Sequence, residues 1–286
     1  MRSVVVTYEF QMIDVFGAEP LSGNPLAVVM GADALKTDDM QRLTRWFNLS
    51  ETAFLLSPTH PAADYRVRIF TLEREMPFAG HPTLGSCHAW LSTGQAPMKE
   101  AEIVQECGVG LVTIRRDQGL LSFGAPPLIR SGAPSQEELS EAIQFLGIEP
   151  HEVVDAAWVD NGPGWLGIRL ASAEQVLALN PQRHWPRRID IGVVGAHSHG
   201  DAAFEVRAFF NNHLGSIVED PVTGSLNASL AQWLSSTGVI EEAYIAAQGT
   251  RLDRKGRIHV ARDSDGQFWI GGKTHTQVTG RLQGLP

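Results

Sequence analysis

An acidic residue, Glu51, stands among apolar neighbours in the segment NLSETAFLL, residues 48–56. An ionised carboxylate is costly to bury unless it is paired, and burial raises the pKa of a carboxyl group toward neutrality. Such a group can take up and return a proton near neutral pH. A structural alternative is favoured when these nine residues are taken alone: Asn48 ends a helix, Ser50 and Glu51 lie in a solvated turn, and residues 52–56 form an ordinary strand.

Two stretches of the chain repeat the same order of residue types. The segment RIFTLEREMPFAGHPTLGSCHAWL from Arg68 aligns without a gap with RAFFNNHLGSIVEDPVTGSLNASL from Arg207, at an offset of 139 positions. The matched pairs are Arg68 with Arg207, Phe70 with Phe209, His81 with Asp220, Pro82 with Pro221, Gly85 with Gly224, Ser86 with Ser225 and Ala89 with Ala228. Each copy predicts a strand, a loop, a polar residue and a proline at the first helical position.

This duplication predicts two similar domains whose helix starts face each other across a cleft. Backbone amides and positive dipole ends would converge there and could bind a carboxylate or another anion. His81 and Asp220 precede the two prolines and would lie at this place. Each of them could instead serve only as the cap of its helix.

Strand-like segments dominate the chain, and each half contains one helix that is apolar on most sides. We predict strands at residues 4–16, 26–30, 65–71, 153–159 and 204–210, and helices at 37–47 (capped by Thr37), 82–92 and 221–236. Residues 125–134 are the best candidate linker, and Ser135 with Glu138 predicts a capping box after it. The predicted domains are therefore residues 1–125, completed by the last strand at about 273–286, and residues 126–272.

Composition excludes several classes of function. The chain has 286 residues and a net charge of -9, and its Lys and Arg residues do not cluster as phosphate binding requires, so we expect no nucleic-acid partner. Two cysteines are too few for a disulfide scaffold, and no apolar run predicts a signal peptide or membrane span, so we expect a cytoplasmic protein. His197 and His199 lack a third ligand at a convincing spacing, so no metal site is predicted.

Several motifs, taken in order, resemble those of the PhzF-like phenazine-biosynthesis family. They are Asp14-Val15-Phe16 with Pro20 and Gly23-Asn24-Pro25, Asn48-Leu49-Ser50-Glu51-Thr52, Pro77-Phe78-Ala79-Gly80-His81-Pro82, and Glu219-Asp220-Pro221-Val222-Thr223-Gly224-Ser225. The family is grouped with diaminopimelate epimerase and proline racemase. The resemblance implies an α+β fold of two pseudo-symmetric domains, each a mixed β-sheet curled into a barrel around a central helix. Two departures from the family pattern are residues 252–256 and the pair Leu226-Asn227, where the family usually has small residues.

The resemblance also implies a set of functional residues. Glu51 would be the acid/base that moves a proton within a small carboxylate-bearing substrate, and His81 and Asp220 would bind or polarise substrate groups. The substrate carboxylate would be held by the backbone amides of Gly80, Gly224 and Ser225, and the site would also be lined by Asn24 and Asn161. No cofactor is implied, and the family predicts a homodimer.

Two other functions stay open at this point. Related racemases use two cysteines, one at each helix start, but neither Cys87 nor Cys107 lies at a predicted helix start. An epimerase or racemase would therefore need a different acid/base pair. A protein that binds a small ligand without turnover is the other alternative, because a fold does not settle a function.

Overall fold

The computed structural model describes residues 6–212 and 214–285, and it confirms an α+β fold. Its α-helices are α1 (Thr37–Phe47), α2 (Gly80–Ser92), α3 (Gln136–Leu146), α4 (Ala173–Ala178) and α5 (Gly224–Ser236). The strands of the N-terminal part are β1 (Val6–Val15), β2 (Asn24–Val29), β3 (Glu51–Leu56), β4 (Tyr65–Thr71), β5 (Glu75–Met76), β6 (Glu102–Cys107), β7 (Gly110–Asp117) and β8 (Leu120–Gly124). They are followed by β9 (Arg130–Gly132), β10 (Val153–Asp160), β11 (Leu166–Leu170), β12 (Asp190–Ala196), β13 (Phe204–Asn211), β14 (Ile217–Asp220), β15 (Tyr244–Gln248), β16 (Gly256–Arg262), β17 (Phe268–Gly272) and β18 (Thr274–Leu285).

The chain divides into two compact units. The first unit contains the described residues up to Gly124 together with those from Gly271 onward, and the second unit contains Ala125–Ile270. The N-terminal strand therefore shares a unit with the C-terminal strand, because β18 pairs with β1 along its length. Of the predicted first strand, residues 4 and 5 lie outside the described residues.

The first unit is a mixed sheet wrapped about α2. β1 lies antiparallel to β18 and β2, β2 runs parallel to β3, and β4 is antiparallel to β3 and parallel to β6, which continues into β7 and β8. Strands along the whole of this sheet contact α2: β1, β2, β3, β4, β6, β8 and β18. The helix is consequently buried on nearly all sides, as its apolar and small residues predict.

The second unit repeats much of this order. β11 runs parallel to β12, β13 is antiparallel to β12 and β14 and parallel to β15, and β15 pairs with β16. The buried helix is α5, which contacts β10 and β16. Leu226 of α5 presses so closely on β12 that a Cβ atom at Gly192 would lie 2.2 Å from its Cδ1 atom. Glycine at position 192 therefore makes room for Leu226, which stands where the family usually has a small residue.

The repeat exists in the structure, but the gapless alignment is wrong at the helices. β4 and β13 begin 139 positions apart, whereas α2 and α5 begin 144 positions apart. The strand pairing shows where the difference arises: Phe70 pairs with Glu75, whereas Phe209 pairs with Glu219, so the second hairpin has the longer turn. Structural equivalence therefore joins Gly80 with Gly224 and His81 with Ser225.

The predicted helix starts need correction for the same reason. Pro82 is the third residue of α2, and Pro221 precedes α5 altogether. The N-caps are Ala79 and Thr223, neither of which makes a side-chain cap hydrogen bond, so the interpretation of His81 and Asp220 as helix caps is wrong. α1 follows Lys36 and is not capped by Thr37, whose hydroxyl accepts a hydrogen bond from Arg68.

Other local predictions are confirmed. The strand at Tyr65–Thr71 has the predicted bounds, and Asn48 ends α1 in the left-handed conformation with φ 55°. Ser135 and Glu138 form the predicted capping box at the start of α3. In the part of the chain that the structure describes, no helix is long and apolar enough to cross a membrane.

Candidate functional site

Glu51 and His81 meet in the first unit. Glu51 is the first residue of β3 and His81 is the second residue of α2, and Oε2 of Glu51 lies 3.6 Å from Nε2 of His81. The glutamate side chain is 20% exposed and the histidine side chain only 6%. Glu51 thus begins a buried strand beside an imidazole, and the structural alternative that left it in a solvated turn is wrong.

Burial determines the charge of His81. Desolvation lowers the pKa of His81 to about 3, because the imidazolium ion would lose its hydration at this buried position. The ring is therefore neutral at physiological pH. A neutral imidazole can donate one hydrogen bond and accept another, so His81 can polarise a substrate group without carrying a charge.

Two polar contacts of the first unit fix segments that lead to the expected site residues. Arg68 of β4 makes a two-pronged ion pair with Glu75 of β5, with nitrogen–oxygen distances of 2.7 and 2.6 Å, and this hairpin leads into α2. Asp14 of β1 accepts hydrogen bonds from the backbone amides of Ser22 and Gly23, at 3.1 and 2.7 Å. This second contact fixes the turn that delivers the buried Asn24 to the start of β2.

The second unit brings together another group of the expected residues. Asp220 is the last residue of β14, and its Oδ2 atom accepts a hydrogen bond of 2.6 Å from the hydroxyl of Thr223. Gly224 and Ser225 begin α5 directly after Thr223. The hydroxyl of Ser225 accepts a 3.1 Å hydrogen bond from the indole Nε1 of Trp165, and the Ser225 carbonyl accepts a 2.9 Å bond from Asn161.

Asn161 lies in a loop that is fixed as firmly as the one before Asn24. Asp160 accepts hydrogen bonds from the amides of Gly162 and Gly164, at 2.7 and 2.8 Å. Both units therefore use an aspartate at or near the end of a strand to hold a glycine-containing turn. Gly162 and Gly164 have φ values of 139° and 99°, which other residues rarely adopt.

Strand pairing reveals a counterpart of Glu51 that the sequence analysis missed. Glu51 pairs with Thr71 and Asp190 pairs with Phe210, so the two acids begin equivalent strands at equivalent positions. Burial raises the pKa of Asp190, and the ion pair with Arg188, at 2.8 Å, acts in the opposite direction. The gapless offset of 139 relates these two acids as well, so extending the alignment upstream could have found Asp190.

The cysteines and His197 have other environments. Cys87 is buried in the middle of α2 and Cys107 ends β6, so neither occupies a helix start, as predicted. Nε2 of His197 lies 3.0 Å from Oε2 of the buried Glu205. The second helical positions of α2 and α5 are occupied by His81 and Ser225.

Comparison with known proteins assigns the family. Residues 13–281 match the model of the PhzC-PhzF family, described as phenazine biosynthesis-like protein. The chain belongs to this family. It is 34% identical to antisense-enhancing sequence 1 of Schizosaccharomyces pombe, over 96% of this chain and 98% of that protein. It is 30% identical to the trans-2,3-dihydro-3-hydroxyanthranilate isomerase of Pseudomonas aeruginosa, over 91% of this chain and 92% of that protein.

Solved structures support the fold. A PhzF-family protein of Enterococcus faecalis superposes with a TM-score of 0.79 at 24% identity, over 97% of this chain and 99% of that chain. A hydroxyproline epimerase of Agrobacterium vitis superposes with a TM-score of 0.59 at 13% identity, over 98% of this chain and 93% of that chain. At these identities the likeness is one of fold alone. The sequence resemblance to the PhzF-like family is confirmed.

Proposed function

We propose that this member of the PhzC-PhzF family is a cofactor-independent isomerase in which Glu51 moves a proton within a small carboxylate-bearing substrate. The contact between Oε2 of Glu51 and Nε2 of His81, at 3.6 Å, carries the proposal. It sets a carboxylate, which can accept a proton, beside an imidazole that burial keeps neutral. The isomerase named among its relatives provides independent support for this class of reaction.

The proton shift balances within the substrate. Glu51 takes a proton from an activated C–H bond, the released electron pair moves into the adjacent π-system, and a more distant carbon then takes the proton back from the carboxyl group. A single base implies that both transfers occur on one face. His81 polarises the substrate oxygen or nitrogen on which charge develops, because its ring can donate a hydrogen bond without adding a charge.

The remaining expected residues bind the substrate in this proposal, and Asp220 binds or polarises one of its groups. Helix N-termini present free backbone amides and a positive dipole end, which suits a carboxylate. The amides of Gly80, Gly224 and Ser225 begin α2 and α5, and Asp220 precedes α5. Asn24 and Asn161 also line the proposed substrate site, from the turns that Asp14 and Asp160 hold. We further propose that the protein acts as a cytoplasmic homodimer.

The residues at the starts of α2 and α5 also disfavour racemisation by two thiols. Such a reaction would use a cysteine near the start of each buried helix, but His81 and Ser225 occupy the second helical positions. The thiol of Cys87, whose pKa burial raises to about 12, lies deep in α2. A thiol with such a pKa is not a useful base near pH 7.

The first experiment measures turnover of trans-2,3-dihydro-3-hydroxyanthranilate in deuterated water, followed by a library of small cyclic carboxylates. We expect the product to carry solvent deuterium or the transferred hydrogen at the new C–H position, and Glu51→Gln to lower turnover by about 10³-fold or more. Ligand binding should persist in Glu51→Gln, and a thermal shift with the same compound would detect it.

Glu102→Gln is the matched control, because Glu102 also begins a strand of the first unit and its side chain forms a surface ion pair with Lys99. It should behave as the wild type. Equal turnover in Glu51→Gln and the wild type would overturn the proposed acid/base. Binding without turnover in the wild type, for every compound bound, would favour the non-catalytic alternative.

A further inference from the structure

One buried amide side chain organises the segment that carries Asp220. Gln248 ends β15 and is fully buried. Its Oε1 atom accepts hydrogen bonds from the Thr223 amide at 3.0 Å and from Nδ2 of Asn227 at 2.8 Å. Its Nε2 atom donates to the Asp220 carbonyl at 3.1 Å and to the Thr223 hydroxyl at 2.9 Å. Every hydrogen-bonding position of this side chain is therefore used on residues 220–227.

The direction of these hydrogen bonds is fixed by the backbone. The Thr223 amide can only donate and the Asp220 carbonyl can only accept, so the orientation of the Gln248 amide has one solution. Because Nε2 donates to the Thr223 hydroxyl, the single hydrogen of that hydroxyl is available for Asp220. The result is a relay from Gln248 through Thr223 to Oδ2 of Asp220, and it ends on a group that must accept.

Close packing leaves this segment little freedom to move. A Cβ atom at Gly256 would lie 2.6 Å from Cγ2 of Val222 and 2.6 Å from the Gln248 carbonyl oxygen. A Cβ atom at Gly249 would lie 2.6 Å from the carbonyl oxygen of Pro221. Gly249 also adopts a φ of 89°, so its conformation and its contact both favour glycine. The backbone around Gln248 thus supports the loop between β14 and α5 directly.

The first unit contains a buried glutamine that does something different. Gln105 of β6 donates to the hydroxyl of Thr83 in α2 at 3.1 Å and accepts from the Tyr65 hydroxyl at 3.0 Å. β6 lies parallel to β4 as β15 lies parallel to β13. Gln105 therefore links a strand to the buried helix, but none of these hydrogen bonds leads to a carboxylate. It provides a control for the loss of a buried amide alone.

We propose that Gln248, acting through Thr223, is a positioning residue that fixes the Asp220 carboxylate and the first turn of α5. The proposal rests on the role of Asp220 in the proposed function, which is to bind or polarise a substrate group. Thr223 is the second positioning residue, because its hydroxyl accepts a hydrogen bond from Nε2 of Gln248 and donates one to Oδ2 of Asp220. A hydrogen bond to a carboxylate both orients it and favours its ionised form.

The test uses Thr223→Val, which removes the hydroxyl with little change of volume, and Thr223→Ser, which keeps it. We expect Thr223→Val to lower kcat by about 10- to 100-fold with KM changed by less than about threefold, and Thr223→Ser to restore kcat to within about threefold. In an Asp220→Asn background, Thr223→Val should cause no further loss, because the hydroxyl acts through Asp220. Gln248→Met should follow Thr223→Val, and Gln105→Met should leave kcat unchanged.

Additive losses from Thr223→Val and Asp220→Asn would overturn the proposal, as would a Thr223→Val enzyme with wild-type kcat. If Gln248→Met does not fold, as circular dichroism would show, the Thr223 series alone decides. A second measurement does not depend on turnover: the side-chain carboxyl ¹³C resonance of Asp220, assigned with Asp220→Asn. It should shift in Thr223→Val and stay in place in Gln105→Met. An unshifted resonance overturns the positioning role, whereas an active Glu51→Gln enzyme overturns only the proposed acid/base.

Discussion

The two strand–hairpin–helix segments, β3–β4–β5–α2 and β12–β13–β14–α5, share a scaffold but differ in the side chains that could react. In both, the guanidinium of an arginine lies over the ring of the phenylalanine two residues later. Cζ of Arg68 is 5.1 Å from the centroid of the Phe70 ring, and Cζ of Arg207 is 4.9 Å from that of Phe209. Each arginine also pairs with a glutamate of the next strand. The two segments therefore share the hairpin with its arginine contacts, whereas the side chains at the positions that could react differ.

The differences lie at the strand start and at the second helical position. In the first segment Glu51 faces the neutral His81 at 3.6 Å. In the second, Asp190 is held by Arg188 at 2.8 Å and the second helical residue is Ser225. The Asp190 carboxylate is thus already bound to a guanidinium, whereas the Glu51 carboxylate lies beside a neutral ring. The acid/base role is therefore expected in the first segment alone.

Neutralising these two acids gives the largest expected contrast. Glu51→Gln should lower turnover by about 10³-fold or more, whereas Asp190→Asn should lower it by less than about tenfold. The measurement is kcat/KM for both variants, with unfolding curves to correct for any loss of folded protein. Equal losses in the two variants would contradict the assignment of the base to the first segment.

The two arginine–glutamate pairs should differ in their effect on stability. Arg207→Met breaks a pair whose side chains are 5% and 13% exposed, and it also removes the donors to the carbonyls of Val176 and Leu179. We expect it to lower the free energy of unfolding by about 3–5 kcal/mol. Arg68→Met breaks a pair that is 26% and 39% exposed and should cost about 1 kcal/mol or less.

Urea denaturation at one protein concentration would measure both changes. The matching glutamate variants, Glu219→Gln and Glu75→Gln, complete a double-mutant cycle for each pair. Coupling energies of equal size in the two units would show that burial does not set the strength of these pairs.

His81 should make the free energy of unfolding depend on pH, whereas Ser225, its counterpart in the second unit, should not. The unfolded chain binds a proton at the ordinary histidine pKa of 6.5, whereas folded His81 does so only at about pH 3. The free energy of unfolding therefore falls as the pH falls through this window, by roughly 1.4 kcal/mol per pH unit from this group. His81→Gln should remove that contribution, and Ser225→Ala should not change the pH dependence.

Unfolding curves at pH 7, 6 and 5 would measure this difference. The comparison is between each variant and the wild type at the same pH, because carboxylates elsewhere titrate in both. A His81→Gln variant with the wild-type pH dependence would show that His81 is not kept neutral by burial.

The smallest expected effects come from two left-handed residues, one in each unit. Asn48 ends α1 and Asp253 follows the short helix at Thr250–Leu252, and both have φ 55° and ψ 34°. Glycine adopts this conformation without the Cβ penalty but loses more entropy on folding. Asn48→Gly and Asp253→Gly should each change the free energy of unfolding by less than about 1 kcal/mol, as thermal denaturation would show. A larger loss at position 253 would indicate that its side chain has a structural role there.

Local chemistry made several elements predictable. Tyr65–Thr71 alternates between β-branched or aromatic and polar residues, and Ser135 with Glu138 satisfies the amides of a helix start from within four residues. The repeat was visible for the same reason, because Arg68, Arg207 and their neighbours kept their types. The helix starts were predicted wrongly because proline tolerates several positions in the first turn, and the longer hairpin turn before β14 gave no local signal.

The sequence by itself determined the duplicated order of elements, the family, and the residues that could react, since these depend on residue types and their order along the chain. Tertiary structure decided which of them meet: the 3.6 Å contact of Glu51 with His81, and the hydrogen bonds that link Asp220 to Thr223 and Gln248. The physical reason is that distance and burial set the pKa and the hydrogen bonds of a side chain, and strand register, which brings distant residues together, fixes both.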